Sequence, residues 1–348
     1  MKYPPILVVG ATGKTGFAVA SQLREKEWPV RAIVHRRDAR SQRLDRLGAE
    51  TVVVDLFDPD QLREAMHGIS RAYYCPPFHP YMIQSAAAFA VAAREANLET
   101  LVGLSQWLAS PSHPSLATRQ NWLVDHLFSM IPGVGHTVVN PGFFADNTLR
   151  LIDFAAHLGV LPTLIGQSRN APPSNEDIAR VAVAALIEPE KHAGKTYRPT
   201  GPKLLSANDM TQILSHVLGR KVRRFDMPLW MFLKAARLQG VSAFELSGFR
   251  HYIEEHKRGS FELGAPNDHV FEVTGHQPED FETIARRYAA RPEAKRNLSN
   301  ALRTFADFMR TPVSPGYNLD KFERQQLLPM PPSPRLASDD KGWMSQHG

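Results

Sequence analysis

Short apolar runs alternate with longer segments of helical spacing along the first 140 residues of the chain. The apolar runs predict strands at 6–9, 29–34, 51–55, 71–75, 99–104 and 136–140. Runs this short and apolar are typical of strands that are buried on both faces of a parallel sheet. The segments at 61–66, 81–97 and 118–130 are predicted to be helices. Strands and helices that alternate through short turns indicate an α/β fold with a doubly wound parallel sheet.

The pattern loosens after residue 143. Helices are predicted at 147–159, 178–187 and 210–218, and a short strand with a loop at 197–201. We therefore assign residues 1–143 and 172–200 to the sheet domain. Residues 144–171 and 201–290 form a smaller α+β lobe on the substrate side, above the carboxyl ends of the strands, where open α/β sheets bind ligands.

The last part of the chain, residues 291–348, has a different composition. A helix is predicted at 297–310, and proline clusters follow at 312–315 and 329–334. Proline cannot continue a helix or a central strand. We interpret this part as a C-terminal helix and an extended arm, which is either mobile or wraps a neighbouring copy in a homo-oligomer.

A glycine-rich turn follows the first strand directly. Gly10, Gly13 and Gly16 come immediately after the apolar run at 6–9, and a helix begins behind them. This construction places a pyrophosphate at a helix N-terminus, because glycines allow close approach and the free N–H groups favour an anion. The predicted cofactor contacts in this turn are Gly10, Thr12, Gly13, Lys14, Thr15 and Gly16.

Two other interpretations of this turn remain open. The tripeptide Gly13-Lys14-Thr15 is similar to the end of a P-loop, but that motif needs a glycine five residues before Gly13, where Val8 stands. The turn could also be structural and bind nothing. A dinucleotide site is the interpretation that we favour.

The residues after the second strand bear on the choice of cofactor. His35, Arg36 and Arg37 stand where an NAD-binding protein usually has an acidic residue for the ribose 2′-hydroxyl. Two arginines can instead pair with a 2′-phosphate, so we predict NADP(H) as the cofactor. The alternative is that both are solvated charges at a strand end. The remaining predicted cofactor contacts are Asp55, Leu56, Pro76, Pro77, Asn140 and Pro141.

Composition restricts the location of the protein. Of 348 residues, 43% are hydrophobic and 22% are charged, as in ordinary soluble proteins. No apolar run approaches the roughly 20 residues of a membrane helix, and no signal segment precedes the first strand. We expect a cytoplasmic protein without a membrane partner. The single Cys75 excludes an internal disulfide, and no metal-ligand spacing is present, so no metal is expected.

The net charge of +6 is unevenly distributed. Six arginines stand between residues 31 and 46 against two aspartates, beside the predicted 2′-phosphate site. Aromatic residues are not interleaved with this basic segment as in readers of single-stranded nucleic acid. We therefore expect a small-molecule acceptor as the partner and no nucleic acid.

Several segments together resemble the NmrA-like family of atypical short-chain dehydrogenase/reductase proteins. They are VVGATGKTG at the start, HRR after the second strand, NPGFFADN at 140–147, PPSNEDIARVAVAAL at 172–186, the stretch 200–222 and GAPNDHVFEVTGHQPEDFE at 264–282. The resemblance covers about residues 5–290. It implies a Rossmann core with a smaller C-terminal lobe and binding of NADP(H). The family includes reductases of quinones, phenylpropanoids and similar aromatic compounds, and regulators that sense the dinucleotide without turnover.

The usual catalytic pair of short-chain dehydrogenases is missing. That pair is a tyrosine whose acidity is raised by a lysine four residues later. The helix at 118–130 contains neither residue, and Asn121 stands near the position that a lysine has in related reductases. The pair Tyr317 and Lys321 has the required spacing but lies in the arm, so we attribute it to chance.

Other residues could replace the pair. Ser105 ends the fifth strand, where the fold places a substrate-polarising serine, and His113 lies on the loop expected beside the nicotinamide. Each also has an ordinary interpretation, as a strand-end hydroxyl bound to backbone and as a surface-loop histidine. His79 and Tyr81 could reach the cleft from its other side.

The sequence leaves two functions open. Hydride transfer needs little from protein side chains, since the cofactor supplies the chemistry. We predict an NADPH-dependent reductase that transfers hydride to an apolar, aromatic acceptor such as a quinone or a conjugated carbonyl. Trp107, Trp122, Phe143 and Phe144 suggest the aromatic acceptor. The alternative is a non-catalytic regulator that senses NADP(H).

Overall fold

The computed structural model describes residues 3–326 and 329–347. Its first half alternates strands and helices. They are β1 (Ile6–Val8), α1 (Lys14–Glu25), β2 (Val30–Val34), α2 (Ala39–Arg46), β3 (Glu50–Val53), α3 (Pro59–Ala65), β4 (Arg71–Tyr74), α4 (Met82–Glu95), β5 (Thr100–Leu104), α5 (Leu116–Ser129) and β6 (Gly135–Val139).

The second half is mostly helical. It contains α6 (Ala145–Leu149), α7 (Ile152–Leu158), β7 (Val160–Thr163), β8 (Arg169–Asn170), α8 (Asn175–Ile187), α9 (Pro189–His192), β9 (Thr196–Tyr197), β10 (Leu205–Ser206), α10 (Ala207–Leu218), β11 (Arg223–Asp226), α11 (Leu229–Leu238), α12 (Ala243–Lys257), α13 (His269–Thr274), α14 (Phe281–Ala289), α15 (Leu298–Arg310), α16 (Leu319–Gln326) and α17 (Lys341–His347). Short 3₁₀ turns lie at Pro292–Ala294 and Ala337–Asp339.

Seven strands form one parallel sheet in the order β3-β2-β1-β4-β5-β6-β9. The central strand β1 pairs with β2 on one side and with β4 on the other, with Ile6 opposite both Val30 and Arg71. The strand order therefore reverses beside β1, and ligands of open α/β sheets bind at such a point. The predicted doubly wound parallel sheet is confirmed, and β9 adds a seventh strand to the six predicted.

Successive residues of β1 point to opposite helix layers, as in any strand. Ile6 and Val8 pack with α1 and α8, whereas Leu7 and Val9 pack with α3, α4 and α5. All four side chains are fully buried. This burial on both faces explains why the first strand is a continuous apolar run.

A smaller lobe follows the sheet domain. Two small sheets, an antiparallel pair of β8 with β10 and a parallel pair of β7 with β11, lie among its helices. Its core joins α6, α7, α10 and α14 around Leu149, Leu214, Phe281 and Tyr288. The helix predicted at 147–159 is two helices, α6 and α7.

The sequence suggested that the segment after Arg310 is an extended arm. In the structure this segment is only partly extended. It contains α16 and α17 and returns to its own chain. The backbone N–H of Arg335 donates to the carbonyl of Ser112 at 2.9 Å, and the Ser112 hydroxyl donates to Asp340 at 2.8 Å. Trp343 is buried in a cluster with Trp107 and Phe261, so the apolar residues that follow the second proline cluster pack on the body of the protein. The homo-oligomer through this arm stays a prediction.

No helix within residues 3–326 and 329–347 is long and apolar enough to cross a membrane.

Candidate cofactor and substrate site

The glycine turn between β1 and α1 depends on the absence of side chains. Gly10 has a φ of +76°, and a Cβ there would lie 2.8 Å from the Cβ of Cys75. A Cβ on Gly16 would lie 2.3 Å from the carbonyl oxygen of Gly10. The Gly13 N–H closes the turn by donating to that same oxygen at 2.9 Å. Gly10 and Gly16 therefore admit no other residue without a shift of the backbone.

The first turn of α1 carries no side-chain cap. Its N-cap is Gly13, whereas Ser115 and Ser174 cap α5 and α8 by accepting backbone N–H groups. The N-terminal N–H groups of α1 are thus open to an anion, which the helix dipole also favours. The Thr15 hydroxyl donates to the Asn175 side chain at 2.9 Å and fixes this helix start against α8. The predicted pyrophosphate position fits a dinucleotide.

The three residues after β2 are exposed at the sheet edge. Arg36 has 72% of its side chain exposed and lies 3.7 Å from Asp38. Arg37 is held to β3, because it donates to the Thr51 carbonyl at 2.7 Å and pairs with Asp45 at 3.4 Å. Arg36 is therefore largely exposed, with one long ion pair to Asp38, while Arg37 is bonded to β3 and has a structural role.

The other predicted cofactor contacts follow neighbouring strands. Asp55 is exposed after β3 and accepts the backbone N–H of Phe57 at 3.0 Å. Leu56 and the pair Pro76 and Pro77 are partly buried. Asn140 is buried after β6, and its side-chain oxygen has no hydrogen-bond partner among the described residues. Together with Pro141, these residues lie at the carboxyl edge of the sheet.

A cavity of about 380 Å³ lies between this edge and the smaller lobe. This volume lies within the range that is usual for small-molecule sites. Of the predicted residues, it is lined by Lys14, Thr15, Pro76, Ser105 and Pro141. Aromatic walls come from Trp107, Phe143, Phe144, Phe249, Tyr252 and Phe261. The start of α1 and a set of aromatic side chains thus share one cavity.

Trp122, His113, His79 and Tyr81 do not line this cavity. The Trp122 ring contacts the His126 ring along α5, with the two rings tilted by 31°. His113 is fully buried, not on the surface. Its Nδ1 accepts the backbone N–H of Ser115 at 3.0 Å, and its Nε2 lies 3.4 Å from Glu255. His113 therefore lies away from the cavity, because its imidazole packs in the protein interior beside Glu255.

Ser105 lies on the cavity wall and has a partner that the sequence did not indicate. Its hydroxyl donates to the Asp125 carboxylate at 2.5 Å. Burial raises the pKa of Asp125 to about 7, and the hydrogen bond from Ser105 offsets part of that rise. Asp125 lies on α5, one helical turn after Asn121. The spacing of Asn121 and Asp125 repeats that of the missing tyrosine and lysine, and this is the signal that could have identified Asp125.

Two further cavity residues have hydrogen bonds of their own. The Asn121 side chain donates to the Ala117 carbonyl at 2.8 Å within α5. The Tyr252 hydroxyl donates to the Gln106 side chain at 2.7 Å. Burial, with the nearby Glu255 charge, raises the pKa of Tyr252 well above its ordinary value. A tyrosine with so high a pKa is a poor proton donor at neutral pH.

Lys14 projects from the glycine turn to Asp146, and both line this end of the cavity. Asp146 accepts hydrogen bonds from Lys14 and Tyr288 and lies 3.4 Å from Arg150. Burial alone would raise the pKa of Asp146, but these hydrogen bonds outweigh it and the net shift is downward. The contact joins the start of α1 to the smaller lobe.

The sheet topology and the glycine turn after its first strand define a Rossmann fold of the dinucleotide-binding class. Residues 3–102 match the NmrA-like family. An NAD(P)H azoreductase from Xenophilus azovorans is 30% identical over 292 residues, which cover 82% of this chain and 98% of the azoreductase. The chain belongs to the NmrA-like family, as its sequence segments had indicated.

Two solved structures share the fold. The triphenylmethane reductase of Citrobacter sp., complexed with NADP(H), matches with a TM-score of 0.69 at 21% identity and covers 81% of this chain and 99% of that one. NmrA, a negative transcriptional regulator in complex with NADP, matches with a TM-score of 0.65 at 17% identity and covers 82% and 95%. At these identities the similarity shows the fold alone. A reductase and a regulator are thus built on the same fold.

Proposed function

We propose that this protein is an NADPH-dependent oxidoreductase that reduces an apolar, aromatic acceptor such as a quinone or a conjugated carbonyl. The observation that carries the proposal is the shared cavity. The uncapped start of α1 and the aromatic walls from Trp107, Phe143 and Phe249 face the same space. A nicotinamide and a planar acceptor would therefore meet there without crossing bulk solvent.

NADP(H) is the cofactor that the site residues fit. The turn from Gly10 to Gly16 would hold the pyrophosphate, and Arg36 with Arg37 would meet the 2′-phosphate. When bound, the reduced nicotinamide supplies the hydride. The azoreductase relative uses NAD(P)H, which supports the same class of cofactor for this chain.

The walls of the cavity support the class of acceptor. Trp107 and Phe143 are almost fully buried and pack against Phe261, so this part of the wall is rigid. Rigid aromatic walls favour a flat, apolar ring that excludes water. Azo compounds have the same flatness, and the azoreductase relative makes them a useful addition to the acceptors tested.

The test is oxidation of NADPH by the purified full chain with quinones, conjugated carbonyls and azo compounds. Turnover that saturates with at least one acceptor is the expected result. Phe249→Ala serves as the cavity variant, and Phe271→Ala, on an exposed part of α13, as its control. Intact NADPH binding without turnover of any acceptor would contradict the proposal.

One observation favours a second candidate, a regulator that senses NADP(H) without turnover. Helix α5 has Asn121 where related reductases have a lysine, and no tyrosine occurs along it. A sensor requires different affinities for NADP and NADPH, with a reciprocal effect on a protein partner. Calorimetry with both forms tests this directly, because equal affinities exclude redox sensing.

A further inference from the structure

Ser105 and Asp125 form a connected pair between the cavity and the outer side of the sheet domain. Ser105 is 5% exposed, and this exposure is on the cavity wall. Asp125 does not line the cavity, and its hydrogen bond to Ser105 has a length of 2.5 Å. Asp125 as a whole residue keeps partial contact with solvent.

The proton state of Asp125 decides where the Ser105 hydrogen points. An ionised carboxylate only accepts, so it holds the Ser105 hydrogen. A protonated carboxyl can donate to Ser105 instead, and the serine hydrogen is then free to point into the cavity. Burial favours the protonated form of Asp125 near neutral pH. His126 follows Asp125 on α5 itself, and the shift in the pKa of Asp125 has two causes, burial and the opposing hydrogen bond from Ser105.

We propose that Ser105 and Asp125 deliver the proton that accompanies hydride transfer, with Ser105 as the catalytic donor and Asp125 as the residue that positions and recharges it. This inference rests on the proposed reductase activity. The pair takes the place of the missing tyrosine and lysine, with Ser105 at the end of β5 and Asp125 on α5.

Reduction of a quinone requires one hydride and one proton. The quinone gains a hydride from the reduced nicotinamide and becomes a hydroquinone anion. The Ser105 O–H bond breaks as its proton forms an O–H bond on that anion. In the same step Asp125 passes its carboxyl proton to the Ser105 oxygen, so that no serine alkoxide forms, and the carboxylate then regains a proton from water.

Other donors in the cavity are less suited to this step. Tyr252 donates to Gln106, and its pKa is raised. Lys14 is paired with Asp146. His113 lies outside the cavity beside Glu255. Ser105 is therefore the cavity hydroxyl whose hydrogen-bond partner, Asp125, is an acid that can return a proton to it.

The test compares two acceptors that differ in their need for a proton. A neutral quinone requires hydride and proton, whereas a cationic triarylmethane dye takes hydride alone at its central carbon and becomes neutral. We expect Asp125→Asn and Ser105→Ala to lower kcat for the quinone about 10- to 100-fold with little change in KM, as for the loss of a general acid. Reduction of the dye should change less than about twofold in the same variants. Asp153→Asn is the matched control, since burial also raises the pKa of this aspartate, which lies on α7 away from the cavity.

The pH profile and infrared spectroscopy add readouts that a structural role would not affect. Quinone kcat in the wild type should fall as Asp125 ionises, and this dependence should disappear in Asp125→Asn. A protonated carboxyl band near neutral pH should vanish in the same variant. An equal loss of kcat with both acceptors, or the absence of a carboxyl band that depends on Asp125, would refute the proposed role of Ser105 and Asp125 in proton transfer. If the wild type reduces the dye but not the quinone, the reductase activity stands and the proposed proton transfer through Ser105 and Asp125 is refuted. If it reduces no acceptor, both proposals are refuted.

Discussion

The two ends of the cavity are built in different ways. The predicted pyrophosphate turn at the cofactor end is one continuous segment, in which Gly10 and Gly16 approach each other closely. The acceptor end is assembled from distant parts of the chain, since Trp107 packs against Phe261 and Ser105 bonds to Asp125. Backbone shape defines the first end, and side-chain packing defines the second. Substitutions at the cofactor end should therefore cause a large and specific loss of cofactor affinity. Substitutions at the acceptor end should cause smaller losses that depend on how much side-chain contact is removed.

The sharpest test of this contrast is Gly16→Ala. Its Cβ would lie 2.3 Å from the Gly10 oxygen, so the turn must open. We expect NADPH affinity to fall about 100-fold or more, since the anion contacts of the helix start depend on this geometry.

Gly13→Ala is the matched control in the same turn. Its Cβ would lie 3.2 Å from the same Gly10 oxygen, and its φ of −78° suits alanine. We expect a decrease of severalfold at most. Calorimetric titration with NADPH measures both variants, and equal losses would show that the contrast between backbone and packing does not hold.

The next largest effect concerns the two arginines after β2. Arg36→Ala with Arg37→Ala should weaken NADPH binding about 10- to 100-fold and leave NADH nearly unchanged, because a charge-assisted hydrogen bond contributes about 1.5–3 kcal/mol. Added salt should weaken NADPH binding more than NADH binding.

The single variants separate the roles of the two arginines. Arg36 is largely exposed, whereas Arg37 is bonded to β3 through Thr51. Arg36→Ala should therefore change affinity alone, and Arg37→Ala should lower thermal stability as well. Full NADPH preference in the double variant would assign the 2′-phosphate to another residue, and Lys14 is the first to examine.

The same contrast explains how much the sequence could predict. The alternation of strands and helices follows from local patterns, and the parallel sheet confirms it. The glycine turn and the two arginines were also found from local patterns, and their cofactor roles stay predictions. The link between Ser105 and Asp125 spans 20 residues, and that between His113 and Glu255 depends on α12. The four-residue spacing of Asn121 and Asp125 places Asp125 on one face of α5 but does not reveal its partner, because such pairs form only when separate elements of the fold pack together. Helices α11 to α14 were missed for a related reason, since no apolar strands alternate with the helices in this part of the chain.

A graded response is expected at the acceptor end. Phe249 is partly buried on α12 and lines the cavity. Phe249→Ala should raise KM for aromatic acceptors about 5- to 10-fold, because it removes about 1–1.5 kcal/mol of aromatic contact. The Kd for NADPH should not change. Steady-state kinetics and calorimetry on one preparation compare the two ends, and a parallel loss of NADPH affinity would show that they are coupled.

The smallest expected effect is a pH-dependent change in stability from Asp125→Asn. The pKa of Asp125 is about 7 in the folded protein, against an ordinary value of 3.8. Between these two values the folded state holds a proton that the unfolded state has lost, so the free energy of unfolding falls as pH rises through this window. The full shift would correspond to about 4 kcal/mol, and partial exposure reduces it to the order of 1 kcal/mol. Asparagine does not ionise, so the variant should gain stability over the wild type as pH rises from 4 to 8. Thermal unfolding at several pH values measures the difference, which should be smallest at pH 4. A constant difference would mean that Asp125 is ionised in the folded protein, and the acceptor end would then lack its buried acid.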